Sequence, residues 1–116
     1  MAEQRIYHVC QRSEWQASRA AGRYAGSAQD KADGFIHFST STQVAATAAR
    51  HFAGQGDLLL VAIEAAGLGD ALRWEVSRGG ELFPHLHGDL PLSAVAWVKP
   101  LALDGDGRHD FSGLLP

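Results

Sequence analysis

Apolar residues along this chain fall into short blocks, and the spacing inside each block predicts an element. RIYHVC, Arg5–Cys10, is dense in strand formers and reads as a first strand. SEWQ, Ser13–Gln16, has the serine-x-x-glutamine spacing of a capping box, in which each side chain serves an orphan backbone amide. It predicts a helix from about Glu14 to Arg23 that ends near Gly22, with Trp15 as its apolar anchor. GRYAGSAQDKADG follows, with glycines and acids but no periodicity, and reads as a loop.

GFIHFST, Gly34–Thr40, is the second strand. TSTQ, Thr40–Gln43, repeats the capping-box spacing, so a helix is predicted from about Ser41 to Phe52. Val44, Ala48 and Phe52 form its stripe, and the small alanines beside them allow close packing on a sheet. DLLLVAIE is apolar throughout rather than alternating, as in a central strand buried on both faces. LRWEV, Leu72–Val76, alternates and predicts a strand whose Trp74 serves the core. SRGGELFPHLHGDLP reads as a long connection, PLSAV as one helical turn, and AVAWVKPLAL as a last strand interrupted by Pro100. The order predicts an α+β fold with a small, split, mostly antiparallel sheet and two helices in its first half. It is expected to be a single domain over residues 1–116, its core spanning about 5–103 and its tail, 104–116, poorly packed.

Composition narrows the function classes. At 116 residues, 46% hydrophobic and 20% charged, the chain has the make-up of a globule able to bury one core without staples. A net charge of −3 argues against a general nucleic-acid binder but leaves room for a local basic pocket. The single cysteine, Cys10, excludes an internal disulfide framework and a multi-cysteine zinc site, and reads as a buried, inert thiol. MAEQRIYHV shows no basic leader with an apolar run, and LLLVAI is too short to span a bilayer. The expectation is a cytoplasmic protein that does not engage membranes.

Candidate chemistry sits where polar residues interrupt strands. By strand parity His37 and Ser39 share one face, opposite the Ile36 and Phe38 side that fits a core. His8 stands in mid-strand among apolar neighbours, so two histidines in two strands are placed to line one groove. An imidazole there can bind a ribose hydroxyl, orient a phosphate or move a proton near neutral pH. GGELFPHLHGDLP adds Glu81 as an acidic partner and His85 and His87 as ligand contacts, with Glu75 the rival carboxylate. His85-x-His87 with His8 or His37 offers zinc enough imidazoles, but the spacing matches no helical metal signature. Ser39 and Ser41 lack the elbow and triad of a nucleophile, and no Walker or GxGxxG loop occurs.

IYHV, GFIHFSTSTQV, LRWE and GGELFPHLHGDLPLSAV, in that order, resemble the bacterial family called Domain of Unknown Function 952 over Arg5 to Pro100. A first-strand histidine followed by a histidine strand that enters a helix is also similar to the RNA 2′-phosphotransferases of the ADP-ribosyltransferase-like superfamily. That second resemblance implies an NAD-binding cleft in a split antiparallel sheet. His8 would contact ribose, His37 and Ser39 a phosphate or second ribose, and His85 the ligand. Glu81, or Glu75, would take the place of the superfamily's glutamate, making Glu81 and His37 the catalytic pair. Three readings follow: an enzyme or degenerate enzyme acting on NAD or an ADP-ribose-like nucleotide, a non-catalytic small-molecule or protein binding module, and a histidine metal site.

Overall fold

The structure, a computed structural model, describes residues 4–116. Strand β1 (Arg5–Gln11) leads into helix α1 (Arg12–Ala21), then β2 (Arg23–Tyr24), α2 (Ala28–Asp33), β3 (Ile36–His37) and α3 (Val44–His51). Strands β4 (Leu58–Glu64), β5 (Leu72–Val76), β6 (Leu82–Leu86), β7 (Leu90–Pro91) and β8 (Val95–Leu101) complete it. All strand pairs are antiparallel: one sheet in the order β1-β4-β8, another in the order β3-β6-β5, and a β2-β7 ribbon. Tyr7 and Ser39 exchange two backbone hydrogen bonds of 2.8 Å and so join the two larger sheets at their edges. The result is a small α+β fold with split antiparallel sheets and few helices, and no helix of the described residues is long and apolar enough to cross a membrane.

The unbroken apolar run of β4 builds core on both faces. Leu59, Val61 and Ile63 join Ile6, Cys10, Trp15 and Tyr24 on one side. Leu58, Leu60 and Ala62 join Tyr7, Val9 and the α3 residues Val44 and Ala48 on the other. The alanine of α3 lets that helix lie close to the sheet, as its sequence implies.

Several local expectations are corrected. Helix α1 starts at Arg12, because the Arg12 amide is claimed by the Asp57 carbonyl and Glu14, not Gln16, reaches back to the Gln11 amide. Residues 22–34 are not a loop: Ser27 and Asp30 close a capping box around α2, and Gly34 ends it with φ 87°. Helix α3 starts at Val44, since Gln43 holds the Thr40 amide with its oxygen and donates its side-chain N–H to the Leu82 carbonyl, 2.9 Å away. The long connection contains β6, where Pro84 keeps sheet register by accepting from the Phe38 amide. Trp74 is 37% exposed rather than in the core. The last residues are not loose either, for Phe111, Leu114 and Leu115 pack against the second cluster beyond a turn closed by Asp104.

Two truncations test this packing. Leu60→Ala is expected to cost about 2–5 kcal/mol in urea unfolding, as a fully enclosed leucine does. Phe111→Ala should cost about 1 kcal/mol, because its ring is partly covered, and a silent Phe111→Ala would contradict a packed tail.

Candidate functional site

Between α2 and α3, over β1, β3 and β6, lies a groove of about 410 Å³. His8, His37, Ser39 and His85 all border it, as the strand pattern predicts, while Glu81 does not. Glu81 is exposed on the β5–β6 turn with its backbone carbonyl bound by the Ser77 amide, so a catalytic carboxylate at that position has no support. The acidic partner is Glu75, one strand away. The catalytic assignment of His37 and the ligand contacts of His8, Ser39 and His85 rest on the state of each side chain.

His8 is enclosed. Its Nδ1–H donates to the His37 carbonyl at 2.6 Å, and its Nε2 accepts from the Tyr24 hydroxyl at 2.7 Å. Burial holds its pKa below the ordinary value against the attraction of Asp30, so the ring is neutral near pH 7 with both nitrogens used. Burial also raises the Tyr24 hydroxyl, and pushes the Cys10 thiol lying against it up to about 12, which makes Cys10 inert. His8 therefore supports the groove wall and leaves no nitrogen for a ribose.

His37 is the opposite case. Its Nδ1–H donates to Asp30 Oδ1 at 2.6 Å, and its Nε2 lies 3.1 Å from Asp33 Oδ2. The bond to Asp30 raises its pKa despite partial burial, so the ring is an imidazolium held between two carboxylates. Asp30 was hidden in the segment read as a loop. Its Oδ2 accepts from the Ser27 amide at 2.8 Å, and its Oδ1 also accepts from the His37 amide at 3.1 Å. Burial alone would raise its pKa, but these bonds outweigh burial and hold it below the usual carboxylate value. Gly26 makes the approach possible: at φ 101° a Cβ there would stand 2.7 Å from the Asp30 Cβ. The legible signal was SAQD, a serine-x-x-acid box of the kind recognised elsewhere in the chain.

His85 differs from both. It pairs with His37 across β3 and β6, and its Nδ1–H donates to Glu75 Oε1 at 2.9 Å. The Phe35 ring stacks on it at 4.2 Å between centroids, and the same Glu75 oxygen accepts from His87 Nε2 at 2.8 Å. Burial lowers the His85 pKa despite Glu75, and the charge on His37 lowers it further. The ring is thus neutral with Nε2 an acceptor. Among the described residues no buried side-chain nitrogen or oxygen lacks a partner, so this unbonded Nε2 is open to the groove. Across the groove, Ser39 Oγ lies 3.0 Å from Thr47 Oγ1, and Arg50 projects from the same helix without an ion-pair partner among the described residues. No group of three or more histidine, cysteine or acidic side chains among the described residues is arranged to hold a metal ion.

A family model described as Protein of unknown function (DUF952) matches residues 9–98. The chain is also similar to the protein CC0527 from Caulobacter crescentus in two kinds of solved structure. The X-ray structure is 49% identical with a TM-score of 0.89 and covers 93% of this chain and 95% of that one. The solution NMR structure is 49% identical with a TM-score of 0.85, covering 96% of each. A search of the curated proteins finds no match. The chain belongs to the DUF952 family.

Tyr24→Phe is expected to cost about 1–3 kcal/mol, since it strands a buried acceptor on His8, and a cost near zero in urea unfolding would contradict the bond. Asp30→Asn should cost about 2 kcal/mol at pH 7, the half-exposed His37 limiting the loss. Asp30, with its pKa lowered, stabilises above its unfolded value, and that contribution goes as pH falls through its folded one. His37, with its pKa raised, stabilises below its unfolded value, and its contribution goes as pH rises through its folded one. Asp30→Asn should therefore remove a stability loss on the alkaline side of the ordinary histidine range, measured as Cm against pH; an unchanged alkaline limb would contradict the pairing.

Proposed function

We propose that this chain is a binding module for a small nucleotide-like ligand of the ADP-ribose or NAD class, held in the groove between α2 and α3. The observation that supports it is His85: a neutral ring, clamped by Glu75 and stacked on Phe35, whose Nε2 is the one nitrogen of His8, His37 and His85 left for a ligand. A neutral imidazole nitrogen accepts a hydrogen bond from a ribose hydroxyl. Phe52 and Phe83 give the groove apolar wall for a base, and Ser39, Thr47 and Arg50 bring hydroxyls and a cation for a phosphate. The His37 imidazolium adds fixed positive charge beneath the ligand while its proton-bearing nitrogens stay on Asp30 and Asp33.

Recognition fits this arrangement better than transfer. Breaking a glycosidic bond to nicotinamide develops positive charge at the anomeric carbon, which a free carboxylate would have to face. Glu81 lies outside the groove, Asp30 has both oxygens bonded, and the Glu75 oxygen nearest the site serves two histidines. Of His8, His37 and His85, only His85 keeps a nitrogen placed to act as an acceptor or base. The chain's net charge of −3 keeps this reading to a single small ligand rather than a nucleic-acid backbone.

Calorimetric titration with ADP-ribose and NAD tests it. Wild type is expected to bind, His85→Ala to bind about tenfold more weakly or worse through the lost hydrogen bond, and Glu81→Gln to bind like wild type without NAD turnover in any of the three. Absence of binding by wild type at millimolar ligand, or NAD consumption lost in Glu81→Gln, would overturn the reading.

A further inference from the structure

Trp74, Val76 and Leu82 are the exposed large hydrophobic residues of the described chain, at 37%, 69% and 52%, and all three belong to the β5–β6 hairpin. Val76 sits opposite Leu82 and Trp74 opposite Pro84, so the three side chains share one face of the ribbon. Strand β5 is also an edge, paired with β6 alone. The Ser77 amide bonds the Glu81 carbonyl and the His87 amide bonds the Ala71 carbonyl, so odd-numbered positions of β5 turn their backbone groups toward β6. Trp74 and Val76 then direct their N–H and C=O groups outward, away from any strand of the described chain, as does the Leu72 carbonyl, while the Leu72 N–H is held by the Gly69 carbonyl.

An open five-residue edge beside an apolar patch is an invitation to strand addition. The sequence LRWEV is complementary to itself. Run antiparallel about a two-fold axis at Trp74, it sets Trp74 against Trp74 of a second copy and Leu72 against Val76, the three outward-facing positions meeting in register. The same register sets Arg73 opposite Glu75. Arg73 has no ion-pair partner among the described residues, and the Glu75 side chain is 39% exposed with its second oxygen carrying no bond. Moving the axis to residue 73 or 75 keeps the outward groups facing each other but sets Arg73 against Arg73 or Glu75 against Glu75. An axis between residues sets outward amides against positions already bonded to β6, so charge and backbone pattern together select one register.

We propose that β5 is a self-association edge through which two copies pair antiparallel about Trp74, extending the β3-β6-β5 sheet across the dimer. The pairing covers Trp74 and Val76, satisfies the outward backbone groups, and gives Arg73 its counter-ion on each side. It lies apart from the groove opening and stands whether or not a nucleotide binds.

Sedimentation equilibrium between about 10 and 500 µM, with amide hydrogen exchange on the same samples, tests the proposal. The wild type is expected to form a dimer in which the Trp74 and Val76 amides exchange slowly. Val76→Lys, at an exposed position that the monomer fold does not need, should weaken the dimer about tenfold or more by setting an ammonium in the apolar seam. Arg73→Glu should weaken it by placing like charges opposite each other. Far-UV circular dichroism unchanged in both variants ties the loss to the interface. A wild type monomeric over the whole range, rapid exchange at the Trp74 and Val76 amides, or a Val76→Lys dimer as tight as wild type would each overturn it.

Discussion

A carboxylate enclosed by protein is tolerated only when its oxygens are fully bonded, and Asp30 is that constraint here. One of its oxygens takes the Ser27 amide and caps α2. The other takes the backbone and ring N–H groups of His37. A six-residue helix, too short to stand on its own propensity, is thereby tied to the strand that enters the groove. Gly26 keeps the space clear for the Asp30 side chain, and His37 carries its positive charge because Asp30 demands a partner.

That one demand separates the states of three histidines that sequence alone leaves equivalent. His37, between Asp30 and Asp33, is charged. Its carbonyl then fixes Nδ1 of His8 as the donor, which leaves His8 Nε2 to accept from Tyr24. The His37 charge also disfavours a proton on His85, whose ring lies 5.5 Å away edge-on. Glu75 holds the His85 Nδ1 proton, so Nε2 faces the groove as a lone-pair acceptor. The site is thus a set of imidazoles that differ in partner and in charge.

The sequence made legible those features that rest on local patterning. The unbroken LLLVAI run gave a strand buried on both faces, and parity in GFIHFS separated the Ile36 and Phe38 core side from the His37 and Ser39 groove side. What it hid are long-range partners. Tyr24 and Asp30 lie among glycines and small residues that read as a loop, because a two-residue strand and a six-residue helix leave too little period to detect. Glu75 displaced Glu81 for the same reason: only the pairing of β5 with β6 puts it beside His85. Trp74 misled in the other direction: it shares the face of Leu72, which packs on the core at the open end of the hairpin, but lies nearer the turn, beyond the core.

The central claim is that a charged His37 sits between two neutral imidazoles, His8 and His85, that both carry their proton on Nδ1. Two-bond nitrogen–proton correlation spectra of the imidazole rings at pH 7 read this directly. The account expects His8 and His85 as neutral Nδ1–H tautomers and His37 as a doubly protonated imidazolium. A neutral His37, or a His85 carrying its proton on Nε2, would contradict it.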